Sequence, residues 1–288
     1  MEEPSLHQVL SMENPMFKIA HKASAYHSVK GNPVEVFNIT RWVEFNLQNI
    51  ISAYGHVLSR RTSSLQQMNL KNTEVEEEIC NVTELKHAAY RRLACISVPL
   101  VCEGAGILKE SLSCPDTIRT GQDATLMSGK RSRPNWTFYV GQDPRIYLVT
   151  GTFRLSKAWS SAKIEHQATR GNEPIKQLAR HATEAETRYG FILSETEVVV
   201  VCYYTTQQGK LDAKWQSVSR SACGQGVLTV NLAIWALSMM SLNSQHRGIA
   251  QEEYTVPLNS WFAQHGYYRN HLSGRVLSDP PTGGIIRD

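Results

Sequence analysis

Four valines in a row, Val198-Val199-Val200-Val201, lie between Glu197 and Cys202-Tyr203-Tyr204. β-Branched side chains favour the extended backbone, and an unbroken apolar run leaves neither face for water. Such a segment is a strand covered on both sides, so the chain needs a central sheet with helices packed on each face.

The neighbouring segments fit that plan. Trp136 to Val140 and Ile146 to Leu155 are rich in aromatic and β-branched residues and predict strands. A helix is expected from Glu173, with Asn172 as its cap, Pro174 in its first turn, and Ile175, Leu178, Ala182 and Ala185 on one face. Tyr189 to Leu193 then predicts a strand turning through Ser194-Glu195-Thr196 into the valine run. Lys214 to Val218 reads as an edge strand, and Val227 to Leu242 as a buried helix.

Upstream, Val43, Leu47, Ile50, Tyr54, Val57 and Leu58 are spaced for one face of a helix starting near Thr40. Thr73 and Glu76 have the spacing of a capping box, opening a second helix whose apolar stripe runs from Val75 through Ile79, Val82, Leu85, Ala89 and Leu93 to Ile96. Glu74, Glu76, Glu77 and Glu78 in its first turns read as compensation of the helix dipole on a solvated face. The expected organisation is an irregular arm over 1–39, one domain over 40–270 and a loose tail over 271–288. Residues 103–133 read as a loop, whose Lys130-Arg131-Ser132-Arg133 is a small basic patch of the kind solvated loops carry.

Composition excludes some classes. With 41% hydrophobic and 19% charged residues the chain is not disordered throughout, and a net charge of +4 over 288 residues neither demands nor forbids a polyanionic partner. No run approaches the ~18 apolar residues of a membrane span. Met1-Glu2-Glu3-Pro4 lacks the basic start and apolar run of an export signal, so an intracellular location, cytoplasm or nucleus, is expected. The six scattered cysteines then read as free thiols, and the sequons at Asn38, Asn81 and Asn135 as chance matches. Gly121 to Lys130 has the wrong spacing for a nucleotide-phosphate loop; there is no Gly-x-Gly-x-x-Gly after a strand, no Gly-x-Ser-x-Gly elbow, and no Cys-x-x-Cys.

Several stretches, in order, resemble fungal PD-(D/E)xK nuclease-like proteins. Thr187-Arg188-Tyr189-Gly190-Phe191-Ile192-Leu193 followed by Ser194-Glu195-Thr196-Glu197-Val198-Val199-Val200 is similar to their Arg-Tyr-Gly-Tyr strand, polar turn and Glu-Leu-Val-Val strand. Arg133-Pro134-Asn135-Trp136 resembles a Pro-Asp-Trp strand. Gly151-Thr152-Phe153-Arg154 stands where those proteins have Gly-acid-x-Lys, and Leu155-Ser156-Lys157-Ala158-Trp159 matches the residues next in line in those proteins. Pro174-Ile175-Lys176-Gln177 and Leu228 to Trp235 resemble two of their helices. The resemblance covers about residues 73 to 270. It implies an α/β (α+β) fold with a restriction-endonuclease-like core, a mixed central sheet flanked by helices, here with extra N-terminal helices.

In that family, two strand carboxylates hold Mg²⁺, which polarises the phosphodiester and lowers the pKa of bound water, and a lysine two residues after the second acid shares its strand face. The corresponding positions here are Asn135, Thr152 and Arg154, with Gln177 on the helix. Asn and Thr bring no charge, and Arg keeps its proton too firmly to act as a base. The resemblance therefore implies a degenerate nuclease without a metal, acting by binding nucleic acid or a protein partner. One alternative is an active nuclease whose Mg²⁺ ligands and lysine have moved to Asp143, Glu165 and Lys157, with Lys163 nearby; these lie in loop-like sequence, where charge is usually just solvated. Another is an accessory or regulatory protein, for example in fungal secondary metabolism, with no nucleic-acid contact. Gln177, His181 and Glu184 form a polar stripe opposite the apolar face of their helix, which reads as its solvent side.

Overall fold

The computed structural model describes residues 3–14, 17–22, 34–62, 78–92, 97–112, 117–122, 134–167 and 170–287. The valine run lies in strand β8 (Glu197–Thr205), buried from Glu197 through Tyr204. β8 is an interior strand of a seven-stranded sheet ordered β2 (Ile39–Arg41), β9 (Leu211–Ser219), β8, β7 (Tyr189–Leu193), β6 (Ile146–Phe153), β5 (Trp136–Val140), β4 (Arg119–Gln122). β4, β5 and β6 form an antiparallel meander, and β7 lies parallel to β6. β8 and β9 continue antiparallel, and β2 closes the far edge parallel to β9.

Alternation along the strands divides the core between two faces. Ile192, Val199, Val201, Tyr203 and Trp215 pack against Ile175, Leu178, Ala179 and Ala182 of the crossover helix that joins β6 to β7. Phe191, Leu193, Val198 and Val200 point the other way, into the larger cluster. That cluster is built by α1 (Leu6–Leu10), α2 (Leu47–Leu58), α3 (Val82–Arg92), α4 (Val98–Leu112) and the apolar helix Val230–Leu242. Short α5 (Ala162–Glu165) precedes the crossover helix, α6 (Glu173–Glu184); the apolar helix is α7, followed by α8 (Ser244–Arg247). Every residue of α7 is buried, as an all-round apolar helix requires. Its cap Thr229 accepts from Leu232 N at 3.3 Å and donates to Leu10 O at 2.6 Å, tying α7 to α1.

Several elements differ from the sequence expectations. Within the expected irregular arm, Ser5 and Gln8 make a capping box that opens α1, and Leu6, Val9 and Leu10 are buried. Ile39–Arg41 pairs with β9, so Thr40 is in a ladder and Asn46 caps the next helix, accepting from Asn49 N at 3.0 Å. Val43, expected on its apolar face, is 69% exposed. The Thr73–Glu76 box lies outside the described residues, but Glu78–Ile79 is a strand, β3, parallel to β1 (Lys18–Ile19), so no helix runs through it. α3 begins after Asn81, which accepts from Thr83 N and Glu84 N, while Glu84 accepts from Cys80 N.

The expected loop over 103–133 begins inside α4. Gly104, within the stretch expected as a loop, seats Trp235: a Cβ there would lie 2.8 Å from Trp235 Nε1. β9 (nine residues) is longer than the expected edge strand, and over Ala213–Trp215 β2 covers its outer side. Beyond α8, β10 (Ser260–Gln264), β11 (Tyr267–Asn270), β12 (Val276–Leu277) and β13 (Ile285–Arg287) make a second sheet ordered β12-β11-β10-β13. The segment expected as a loose tail thus supplies two strands, and the β10–β11 turn is made by His265 and Gly266, both at positive φ. No helix among the described residues is long and apolar enough to cross a membrane.

Candidate functional site

The β6–β7 register decides which side chains meet α6. Thr150 pairs with Gly190 and Thr152 with Ile192. Gly190 faces Leu178 of α6, and Ile192 belongs to the α6-side cluster. Paired residues share a sheet face, so Thr150 and Thr152 face α6 too. Thr137 on β5 pairs with Thr150 and adds a third hydroxyl to this side. Their polar stripe lies beside the apolar Ile192–Val199–Val201 surface.

The positions singled out by sequence come together here. Asn135, just before β5, accepts through Oδ1 from Phe153 N at 3.1 Å, between Thr152 and Arg154. Arg154 follows β6 and is 7% exposed. Its Nη1 donates to Phe153 O at 2.8 Å and its Nη2 to Gln177 Oε1. Burial lowers the guanidinium to about 10, which still leaves it protonated at neutral pH. Thr150 and Thr152 are buried, and their hydroxyls have no hydrogen-bond partner among the described residues.

The helix stripe does not face solvent. His181 is 4% exposed, and burial lowers its imidazole to about 4, with Glu184 acting to raise it and Arg180 and Arg154 to lower it. Glu184 accepts from Arg180 Nε at 3.0 Å, and its Oε2 is buried without a partner among the described residues. Helix periodicity gives the spacing of polar residues but not the polarity of the surface they meet, so the stripe is legible in sequence and its inward direction is not. A polar strip on the sheet, Thr150 and Thr152 at i and i+2, was the available signal.

The alternative ligands do not join this group. Glu165 is half-exposed and ion-paired with Arg41, which also donates to Gln216 Oε1 at 3.0 Å and stacks over Trp215 at the β9 side of the sheet. Asp143 is exposed in the β5–β6 turn, at the opposite end of β6 from Arg154, roughly 26 Å away along eight residues of strand. Lys157 is exposed, and Lys163 donates to Ala158 O at 2.5 Å. The loop carrying them is held by two buried carboxylates. Glu195 accepts from Ser156 N at 2.9 Å, and Glu197 from Ser161 N at 2.7 Å and Ser161 Oγ at 2.6 Å.

A Mg²⁺ ion does not fit the motif positions. They offer a neutral amide already accepting from Phe153 N, a hydroxyl and a guanidinium, where the ion needs carboxylates and water. Among the described residues no three His, Cys, Asp or Glu side chains are grouped to hold a metal. What the arrangement offers is a buried, cationic and hydroxyl-rich patch at the end of β6. Compared with known proteins, the chain matches no family model and no curated protein.

Proposed function

We propose that the chain is a catalytically degenerate PD-(D/E)xK nuclease-like protein that acts by binding a nucleic acid or a protein partner, not by hydrolysis. One observation carries the reading. Residues 135, 152, 154 and 177, the positions the motif resemblance implies, lie at neighbouring ends of β5 and β6 and on α6: Asn135 accepts from Phe153 N, between Thr152 and Arg154, and Gln177 accepts from Arg154. The antiparallel meander β4-β5-β6, crossing through α6 to a parallel β7, supports a restriction-endonuclease-like core.

The chemistry argues against turnover. Hydrolysis of a phosphodiester needs a bound metal or a strong base to generate the nucleophile. Arg154 supplies neither, since it stays charged and its Nη1 and Nη2 already serve Phe153 O and Gln177. His181 is neutral at physiological pH and buried, so it is badly placed to reach a substrate. A relocated centre would need Asp143 and Glu165 together, and they lie at different ends of the sheet.

The test incubates the purified protein with supercoiled DNA and structured RNA in Mg²⁺, Mn²⁺ or EDTA, beside an Asn135→Asp, Thr152→Glu, Arg154→Lys variant whose fold is checked by circular dichroism. Cutting by the variant alone supports the reading. Metal-dependent cutting by the natural protein overturns it. A salt titration of binding then separates partners: nucleic-acid affinity falls with a log–log slope of about 0.9 per phosphate contacted, whereas a protein partner shows no such law.

A further inference from the structure

Arg188, immediately before β7, is 4% exposed. A guanidinium withdrawn from water ordinarily keeps a carboxylate beside it, because an uncompensated buried charge is strongly destabilising. No carboxylate among the described residues lies within ion-pair distance of Arg188. Its Nε donates to Gly248 O at 2.8 Å. Of the five N–H donors of a guanidinium, that is the one the described residues accept.

Arg188 lines a cavity of about 50 Å³ on the α7 side of the sheet, the face opposite Arg154 and α6. Lys214 lines it as well, from β9, one strand beyond Cys202, with which it pairs in register. Among the described residues Lys214 pairs loosely with Glu252, at 3.4 Å and itself 55% exposed, and its ammonium also lies 5.2 Å from the centre of the Tyr204 ring. Trp42, stacked on Tyr189 with ring centroids 6.4 Å apart, forms one wall. The volume is enough for about four water molecules or one small ion.

The other titratable groups in the lining do not neutralise these cations at neutral pH. Burial pushes the Cys202 thiol up to about 11, against the pull of Arg188 and Lys214. Burial likewise raises the phenols of Tyr189 and Tyr204. The imidazoles of His246 and His271 fall to about 4 and about 3, again chiefly through burial, so both are neutral. Glu44 is the one carboxylate among the described lining residues, set against two cations.

We propose that this cavity binds a small oxyanion, a phosphate or carboxylate group, with Arg188 as a forked donor and Lys214 as a point charge. The guanidinium fork matches two oxygens of either group, while an ammonium adds attraction without fixed geometry. The site shares no residue with Asn135, Thr152, Arg154 and Gln177 on the other face, although Arg188 itself opens the Arg-Tyr-Gly stretch. It stands whether or not the degenerate-nuclease reading holds.

Thermal unfolding of the full chain at pH 7 tests it, in sodium phosphate, sodium acetate and sodium chloride at equal ionic strength. A Tm that rises and saturates with phosphate or acetate, beyond the chloride control, is expected, and the anion with the lower saturation point identifies the group. Arg188→Gln is expected to weaken the apparent affinity at least tenfold. Because that variant removes a buried side chain and can fail to fold, Lys214→Gln, at a partly exposed position, provides the second reading with a loss of about threefold. Glu44→Gln is expected to tighten binding. No stabilisation beyond chloride overturns the proposal, and so does stabilisation undiminished in both Arg188→Gln and Lys214→Gln. Binding that appears only in Glu44→Gln also overturns it, since Glu44 would then be the counter-ion of Arg188.

Discussion

Replacing Gly151 by alanine tests how the motif strand is packed. Gly151 lies within β6, paired with Phe191 on one side and Trp136 on the other. A Cβ there would sit 2.4 Å from Phe191 Cζ, with Cε2 at 2.7 Å and Cε1 at 2.8 Å. Ordinary contact begins near 3.4 Å, so the ring must retreat by about 1 Å (3.4 − 2.4). Phe191 is fully buried in the α7-side core and has no solvent to move into. Overpacking a filled core costs about 1–3 kcal/mol, and relief of the glycine's backbone entropy returns about 0.5–1 kcal/mol. The net expectation is a loss of about 1–2 kcal/mol, measured by urea unfolding followed through tryptophan fluorescence. Phe191→Leu removes the clashing ring edge, so the double variant is expected to be more stable than the sum of the single effects by about 1 kcal/mol. Wild-type stability for Gly151→Ala refutes the reasoning, and so does additivity within about 0.5 kcal/mol. If the expectation is met, the glycine that opens the Gly-Thr-Phe-Arg stretch is required by the core and not by any ligand.

Further outcomes rest on the same side chains. His181 has its pKa lowered from 6.5 to about 4, so between those values the unfolded chain binds a proton that the folded one refuses. Its contribution is therefore full above pH 6.5 and lost as pH falls towards 4. It amounts to about 3 kcal/mol (about 2.5 pH units at 1.36 kcal/mol each); urea midpoints against pH should fall less steeply for His181→Asn than for the natural protein, and equal slopes would refute the assignment. Thr152→Val replaces a buried hydroxyl lacking a partner among the described residues with a methyl group of the same shape, and an increase in stability of about 1 kcal/mol is expected; a loss would mean the hydroxyl is satisfied. Gln177→Leu takes from Arg154 its side-chain acceptor, costing about 2 kcal/mol by denaturant unfolding, while Lys157→Ala, at an exposed loop position, should fall within about 0.5 kcal/mol of wild type.

The strands and helices that were legible in the sequence carry their signal within a few residues. The valine run admits only a strand covered twice, and Pro174 two residues after Asn172 marks a helix start wherever the chain goes next. Where expectations failed, the deciding partner was distant. Gly104 falls in a stretch that reads as loop until Trp235 packs on it from α7. Thr40 and Arg41 stand at the expected start of a helix until β9 offers Ile39–Arg41 a ladder 174 residues further along. Leu6 and Leu10 look like part of an irregular arm until Thr229 binds Leu10 O.

The candidate site divides in the same way. Its residue types were readable: Asn135, Thr152, Arg154 and Gln177 were named from motif order, and their lack of carboxylates already spoke against a Mg²⁺ centre. Their convergence depends on the β5–β6–β7 register, and a slip of one residue would turn Thr150 and Thr152 to the opposite face. The inward turn of His181 and Glu184, and the burial of Arg188 against a small cavity, depend on which surfaces α6 and the 246–272 segment cover. Periodicity and capping act between near neighbours and are written along the chain. Burial, pairing and the solvation of a charge are properties of the assembled fold, and for this protein they set where the buried charges lie and what they can hold.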